Sequence, residues 1–106
     1  AEVNARDESG DTPLHYAAKA KSKPAVITTL IAAGAEVNAR DESGDTPLHY
    51  AALGSDNRAV IIALIEAGAN GAATNDHGET PFDLAKKNDA IKGSDAYWAL
   101  NDARFK

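Results

Sequence analysis

The amino-acid sequence predicts an all-α fold, a solenoid of stacked helix–turn–helix units with projecting turns. Three observations predict it: an internal repeat with a period of 34 residues, a Thr-Pro pair at the same place in each copy, and short apolar stripes at helical spacing. Residues 1–18 and 35–52 both read AEVNARDESGDTPLHYAA, and a third, degenerate copy starts at Ala69. We therefore expect a single domain over 1–106, with a first unit (1–34), a second unit (35–68) and a third unit that ends as a C-terminal cap (69–106).

The first helix of each unit is predicted from its Thr-Pro pair. These pairs are Thr12-Pro13, Thr46-Pro47 and Thr80-Pro81. Threonine is a good helix N-cap, and proline suits the first helical position because the N–H it lacks has no partner there in any helix. We therefore expect short helices that begin at the three prolines and run for about two turns.

A second helix is expected in the first two units, over 24–33 and 58–67. Both segments carry the pattern V-I-x-x-L-I, which places the four apolar residues on one stripe of a helix. Gly34 and Gly68 stand where a left-handed C-cap residue is wanted. Helices this short are unstable alone in water, so the units must bury their apolar faces by stacking on each other.

The third unit is expected to close the stack with a last helix from about Ser94 to Phe105. The large apolar side chains of this helix are predicted to pack on the second unit. They are Tyr97, Trp98, Leu100 and Phe105.

The composition excludes several classes of function. The formal net charge is −5, from 11 basic and 16 acidic residues, so neither nucleic-acid binding nor attraction to an anionic membrane is expected. Cysteine is absent, which excludes disulfides and thiolate metal sites. The chain has 23 alanines but only 17 Val, Ile or Leu residues, and such thin side chains enclose a large cofactor pocket poorly. We expect no cofactor, no bound metal and a monomer.

The repeated residues resemble the ankyrin repeat family. The family pattern D-x-x-G-x-T-P-L-H-x-A-A begins at Asp7 and again at Asp41, and L-I-x-A-G-A-x-V-N-A begins at Leu30. The period of 34 exceeds the family's usual period of about 33 by one residue. Among the departures of the third unit from the pattern, Phe82-Asp83 stands for Leu-His, and Gly71-Ala72 for Val-Asn.

The resemblance implies a function as well as a fold. Ankyrin arrays typically bind other proteins, without catalysis, through the turn tips and the concave face of the first helices. The resemblance also implies that His15 and His49 brace neighbouring units by hydrogen bonding. Tyr16 and Tyr50 fill the free position of T-P-L-H-x-A-A, which in the family faces the concave groove.

We predict ten partner-binding residues on the turns and first helices. They are Glu8, Ser9, Asp11, Tyr16, Glu42, Ser43, Asp45, Tyr50, His77 and Glu79. Tyrosine is enriched at binding hot spots, and an acidic edge would steer a basic partner. Two other interpretations stay open: the tyrosines pack against the base of a neighbouring turn, and the acidic turns form a solvated edge that aids solubility.

Other kinds of site fit the sequence poorly. A metal site built on the two repeated histidines lacks a third ligand at a fitting spacing. The run from Asp7 to Asp11 resembles the start of a calcium loop, but the glycine at the sixth position and the final glutamate are missing. Phosphate loops, nucleophile elbows and zinc helices do not occur. We therefore predict no catalytic residues and no enzymatic activity.

An alternative function is an engineered or recently duplicated scaffold with no dedicated ligand. Turns that recognise one asymmetric partner should differ between units, yet the first two are identical over 18 residues. The chain also contains no methionine and no basic, apolar leader, which favours a processed product, a fragment or an engineered chain, with no secretory signal.

Overall fold

The computed structural model describes residues 3–19, 23–53 and 58–105. Its six helices are α1 (Pro13–Lys19), α2 (Pro24–Ala32), α3 (Pro47–Leu53), α4 (Arg58–Glu66), α5 (Pro81–Ala85) and α6 (Asp95–Ala103). No strand occurs within these three ranges. Helices α1, α3 and α5 pack side by side in one row, and α2, α4 and α6 form a second row against it. This arrangement confirms the predicted all-α solenoid of stacked helix–turn–helix units.

The helix ends lie close to where the capping residues predict them. α1, α3 and α5 all begin at the predicted prolines. α2 and α4 end one residue before their predicted ends, and Gly34 and Gly68 follow them with φ angles of 101° and 99°, in the left-handed region. The last helix is shorter than expected at both ends, because Ser94 is its N-cap and the helix stops at Ala103.

The core consists of leucine and isoleucine between rows of alanine. Leu14, Leu48, Ile61 and Leu64 are completely buried. The alanines that follow Tyr16 and Tyr50 are also buried, and their small side chains let α1, α3 and α5 approach closely. The surface formed by the turns before these three helices and by their exposed sides is called here the inner face.

The departures of the third unit make room for the last helix. A Cβ atom on Gly71 would lie 2.5 Å from the Cβ of Ala103, so valine, which the second unit has at this position, cannot stand there. Tyr97 and Leu100 are buried, and the Tyr97 ring centroid lies 4.8 Å from that of Phe82. The prediction that the whole apolar set packs as a cap is wrong for two members: Trp98 and Phe105 are exposed. Trp98 lies on the outward side of a helix that is buried on one stripe only, and Phe105 follows the end of that helix.

Within the described ranges, every helix is too short or too polar to cross a membrane.

Replacing Leu48 by alanine tests the stacking. Leu48 is fully buried in α3, the middle helix of its row, so Leu48→Ala should lower the free energy of unfolding by about 2–5 kcal/mol. The same helix offers a matched control, since Leu53 is 51% exposed and Leu53→Ala should cost far less. Urea denaturation of both variants gives the two values, and equal losses would contradict the assignment of the core.

Candidate functional site

The projecting turns are joined to each other through their backbones. The N–H of Glu42 donates to the carbonyl of Ser9 at 3.0 Å, and the N–H of Asp76 donates to the carbonyl of Ser43 at 2.9 Å. The Arg6 guanidinium donates to the Arg40 carbonyl, and the Arg40 guanidinium in turn donates to the Thr74 carbonyl. The three turns therefore form one continuous edge with a fixed spacing.

Each turn is closed by one side chain at its start. The Asp7 carboxylate accepts hydrogen bonds from the N–H groups of Ser9 and Asp11, both at 2.9 Å. Asp41 does the same for Ser43 and Asp45. Aspartate and asparagine favour such turns because their short polar side chains reach the backbone two residues on. In the third turn, Asn75 makes the same pair of bonds without a charge.

The two repeated histidines link each unit to the next. The N–H of Thr12 donates to His15 Nδ1 at 3.0 Å, and His15 Nε2 lies 2.9 Å from the Asp45 carbonyl. Because Nδ1 is an acceptor here, the ring is neutral and Nε2 carries the hydrogen that it donates to the next turn. His49 repeats this arrangement with the Glu79 carbonyl at 2.8 Å. The structural role that the family resemblance implies for these residues is confirmed.

Asp83 replaces histidine in the third unit and keeps only half of this role. Its carboxylate accepts from the Thr80 N–H at 3.0 Å, and its own N–H donates to the Thr80 hydroxyl. This reciprocal pair is a capping box. The Asp83 side chain caps its own helix. It has no counterpart of the histidine Nε2, which in the first two units bonds to the next turn.

Half of the predicted contact residues lie exposed on the turn tips. They are Glu8, Ser9, Glu42, Ser43 and His77. The backbone of these tips is held in the turn edge, while the side chains remain open to solvent.

Three predicted carboxylates have structural partners instead of open surfaces. Asp11 is only 4% exposed, and its carboxylate lies 3.0 Å from the Lys19 ammonium, so it does not project from the turn tip as expected. Asp45 is partly buried and accepts from the Asn75 amide at 2.9 Å. Glu79 is partly buried and pairs with Lys87 at 2.7 Å. Asp11 and Glu79 each pair with a lysine eight residues on in their own unit, whereas Asp45 bonds to the next turn. In each case a carboxylate that is removed from solvent has a partner.

The two tyrosines have the same hydrogen bond but different exposure. The Tyr16 hydroxyl donates to Asp7, and the Tyr50 hydroxyl donates to Asp41. Tyr16 is 50% exposed, whereas Tyr50 is partly buried and meets the His15 ring edge-on. Both rings therefore rest on the base of their own turn, and Tyr16 in addition offers an open ring surface.

Asp41 and Tyr50 form a polarised pair between the first two units. Burial opposes ionisation of Asp41, but hydrogen bonds from the Tyr50 hydroxyl and from the backbone of Asp45 and Ser43 outweigh it, so the pKa of Asp41 lies below its ordinary value of 3.8. Burial, together with the Asp41 carboxylate, raises the pKa of Tyr50 well above its ordinary range. The pair therefore consists of a carboxylate and a neutral phenol that donates to it.

The structure brings together a cluster of three possible metal ligands that the sequence did not predict. Ligand atoms of Asp11, His15 and Asp41 lie within 4.8 Å of one another, although Asp41 is 30 residues from Asp11 in the chain. Both ring nitrogens of His15 already make hydrogen bonds, so a metal would have to displace one of them. The register of the repeat could have revealed this neighbour, because stacking places each turn against the next copy of itself.

The chain matches one family model. The model, described as ankyrin repeats (3 copies), matches residues 1–75 and residues 20–96. No curated protein matches the chain.

Replacing Asp41 by asparagine tests the electrostatics of the first interface. Asn75 shows that asparagine supports the same turn, so Asp41→Asn removes a charge and leaves the turn intact. A carboxyl group with a lowered folded pKa contributes stability in full above its ordinary value of 3.8, and this contribution disappears as the pH falls through the folded value. The free energy of unfolding of the wild type should therefore fall relative to that of the variant as the pH drops from about 5 through the folded pKa of Asp41, which lies below 3.8.

Denaturant titrations of the two proteins across this range measure the difference. Asp83 and Glu79 also have lowered pKa values, from the Thr80 backbone hydrogen bond and from the Lys87 side chain respectively, but they titrate in both proteins and cancel. A difference that stays constant with pH would contradict the charged hydrogen bond between Tyr50 and Asp41.

Proposed function

The chain belongs to the ankyrin repeat family, and we propose that it binds a partner protein through its turn tips and inner face, without catalysis. Ankyrin repeats are generally protein–protein interaction modules, and the family is typically non-catalytic. In this proposal residues 1–106 act as one monomeric domain, with units at 1–34, 35–68 and 69–106. Nucleic acids and membranes are not its partners, in keeping with the net charge of −5.

The observation that supports the proposal best is the exposure of large side chains on an otherwise well-bonded inner face. Tyr16 is 50% exposed on α1, and Leu53 is 51% exposed at the end of α3. Leu53 was not among the residues predicted from the sequence. An aromatic ring and a leucine on one rigid row, with hydrogen-bonded groups around them, are suited to bury surface against a partner at little entropic cost.

The ten predicted residues divide into two roles under this proposal. The exposed residues contact the partner, and they are Tyr16, Glu8, Ser9, Glu42, Ser43 and His77. The ring of Tyr16 would supply affinity, whereas the charged tips would set association rate and specificity. The other four shape the surface from beneath: Asp11, Asp45, Tyr50 and Glu79.

One observation favours the alternative of a scaffold with no dedicated ligand. The exposed tips of the first two turns are identical, and only the third differs, with Asp76 and His77 in place of Glu42 and Ser43. The side chains of these tips therefore offer the same contacts twice and do not by themselves distinguish the first unit from the second. A scaffold without a ligand would not bind a partner protein selectively at any position of its surface.

Site-specific photo-crosslinking distinguishes the two functions. A benzophenone amino acid at Tyr16 should capture a discrete partner, because this position lies on the inner face. The same amino acid at Thr28, which is exposed on α2 in the other row, is the control and should capture none. Equal yields from the two positions, or none from either, would refute the proposed binding face.

An alanine substitution at Tyr16 measures how much this side chain contributes to the affinity for the partner. Tyr16→Ala should weaken binding of the captured partner by about tenfold or more, the usual effect of truncating an aromatic anchor. Glu66→Ala, at an exposed position on α4, should leave the affinity within about twofold. Isothermal titration with the purified partner measures both affinities.

A further inference from the structure

An ammonium group lies between two aromatic rings and a buried carboxylate on the inner face. Lys19 Nζ is 4.9 Å from the Tyr16 ring centroid and 4.5 Å from the Tyr50 ring centroid. The same nitrogen is 3.0 Å from Asp11 Oδ2. We call the two rings and the Asp11 carboxylate the ammonium cage.

The cage combines the two interactions that favour a primary ammonium. Ring faces attract a cation through their quadrupole, and a buried carboxylate forms a short, charge-assisted hydrogen bond with an N–H donor. Both phenols donate to carboxylates, Tyr16 to Asp7 and Tyr50 to Asp41, which fixes the two rings in place.

The charges around the cage favour a cation. Three carboxylates surround it: Asp7 and Asp41 behind the phenols, and Asp11 within. Lys19 is the cation in the cage, while the Arg6 guanidinium is directed to the carbonyls of Gly10 and Arg40. The Asp11 carboxylate is 4% exposed, so it is stable only with a close partner, and the surrounding negative charge favours a cation in that place.

Lys19 is a replaceable source. Its side chain is 38% exposed and lies at the last position of α1. Exchange of its ammonium for another one leaves no charge buried and unpaired. The cost of the exchange is therefore set by the tether of Lys19 and not by the electrostatics of the cage.

We infer that the ammonium cage receives a lysine side chain of the partner protein, and that Lys19 occupies the cage until the partner displaces it. The inference rests on the proposed function, since it names the chemistry with which the inner face recognises its partner. The partner is a protein with an exposed lysine, which enters between Tyr16 and Tyr50 and takes over the hydrogen bond to Asp11.

The other two units lack the cage, although they occupy equivalent positions. In the second unit, Leu53 stands in place of the lysine. In the third unit, Lys87 pairs with Glu79 at 2.7 Å, but Leu84 stands in place of the tyrosine. The Lys19–Asp11 pair, which lies against two rings, is therefore the test case, and the Lys87–Glu79 pair, which lacks the tyrosine, is the control.

Removal of Lys19 should leave a site for a free ammonium. In Lys19→Ala, n-butylammonium should bind saturably and raise the melting temperature, measured at constant ionic strength. Tetramethylammonium carries the charge but no N–H group, and it should bind more weakly because it cannot donate to Asp11. If sodium, tetramethylammonium and n-butylammonium raise the melting temperature equally, the effect is general screening and the inference is wrong.

Two variants control for the position and for the rings. Lys87→Ala removes the equivalent lysine beside Glu79 and should show no saturable response to n-butylammonium. Lys19→Ala combined with Tyr16→Leu keeps an apolar side chain but removes one ring face, and it should weaken n-butylammonium binding several-fold. Equal binding by Lys19→Ala and Lys87→Ala would show that the rings contribute nothing.

The wild-type chain supplies a measurement that does not depend on the folding of a variant. The probe is the peptide acetyl-Gly-Lys-Gly-amide, with norleucine in place of lysine as its control, and the readout is the ring-proton NMR shifts of Tyr16 and Tyr50. The lysine peptide should shift both sets of signals, whereas the norleucine peptide should not. If Lys19 fills the cage about nine-tenths of the time, the peptide should bind about tenfold more tightly to Lys19→Ala than to the wild type.

Failure of this inference differs from failure of the proposed function. A partner captured at Tyr16 with undiminished affinity after its lysines are acetylated would keep the binding face and overturn the ammonium cage. Absence of any partner, together with saturable lysine-peptide binding, would keep the cage and overturn the proposed function.

Discussion

The stack depends on a histidine that serves two units at once. The His15 ring accepts the Thr12 N–H at the start of its own helix and donates to the Asp45 carbonyl in the next turn, and His49 repeats this with Thr46 and Glu79. Helix capping and unit stacking are thereby coupled, since a helix that loses its cap also loses its link to the next unit. Because no short helix here is stable alone, this coupling explains why the projecting turns keep a fixed spacing although their tips are exposed. In the third unit Asp83 keeps the helix cap through the Thr80 N–H but carries no second ring nitrogen, so the capping and stacking roles are separated there.

Position in the stack gives identical residues different environments. Val26 in α2 is 43% exposed, while its counterpart Val60 is 2% exposed in α4, which packs against both α2 and α6. The tyrosines follow the same rule: Tyr50 is covered by the turn and helix before it, and its hydroxyl also lies 3.5 Å from Asp11, whereas Tyr16 is open. An exact sequence repeat therefore yields an asymmetric surface. Identical turns do not by themselves argue for a surface without a ligand, since the stack distinguishes them physically.

Most of the fold could be predicted from the sequence, whereas much of the inner face could not. The predicted first residues of α1 to α5 are those observed, and the predicted last residues of α2 and α4 are wrong by one. These positions could be predicted because local capping residues decide them. The burial of Asp11 was missed, because the turn geometry that aims its carboxylate at Lys19 is not encoded in its residue type. The exposure of Leu53 and Trp98 was missed for a related reason: a hydrophobic residue type predicts burial only where a neighbour is present to cover it. The group formed by Asp11, His15 and Asp41 spans two units and appears only once the register of the stack is known.

The inner face shows how one set of groups can serve both stability and recognition. A buried carboxylate such as Asp11 destabilises the fold unless a cation or a hydrogen-bond donor pairs with it. In the second unit the equivalent carboxylate of Asp45 is satisfied by the Asn75 amide, an arrangement that is closed within the stack. In the first unit the partner is a flexible lysine that reaches in from the surface and rests on two aromatic rings. The Asp45–Asn75 hydrogen bond fixes the interface between two units. The Asp11–Lys19 pair leaves a carboxylate that a cation from outside the chain can also neutralise. Residues 1–18 and 35–52 are identical and thus carry two carboxylates of the same type, and the residues that differ, Lys19 against Leu53 and Asp41 against Asn75, determine which of them is open to exchange.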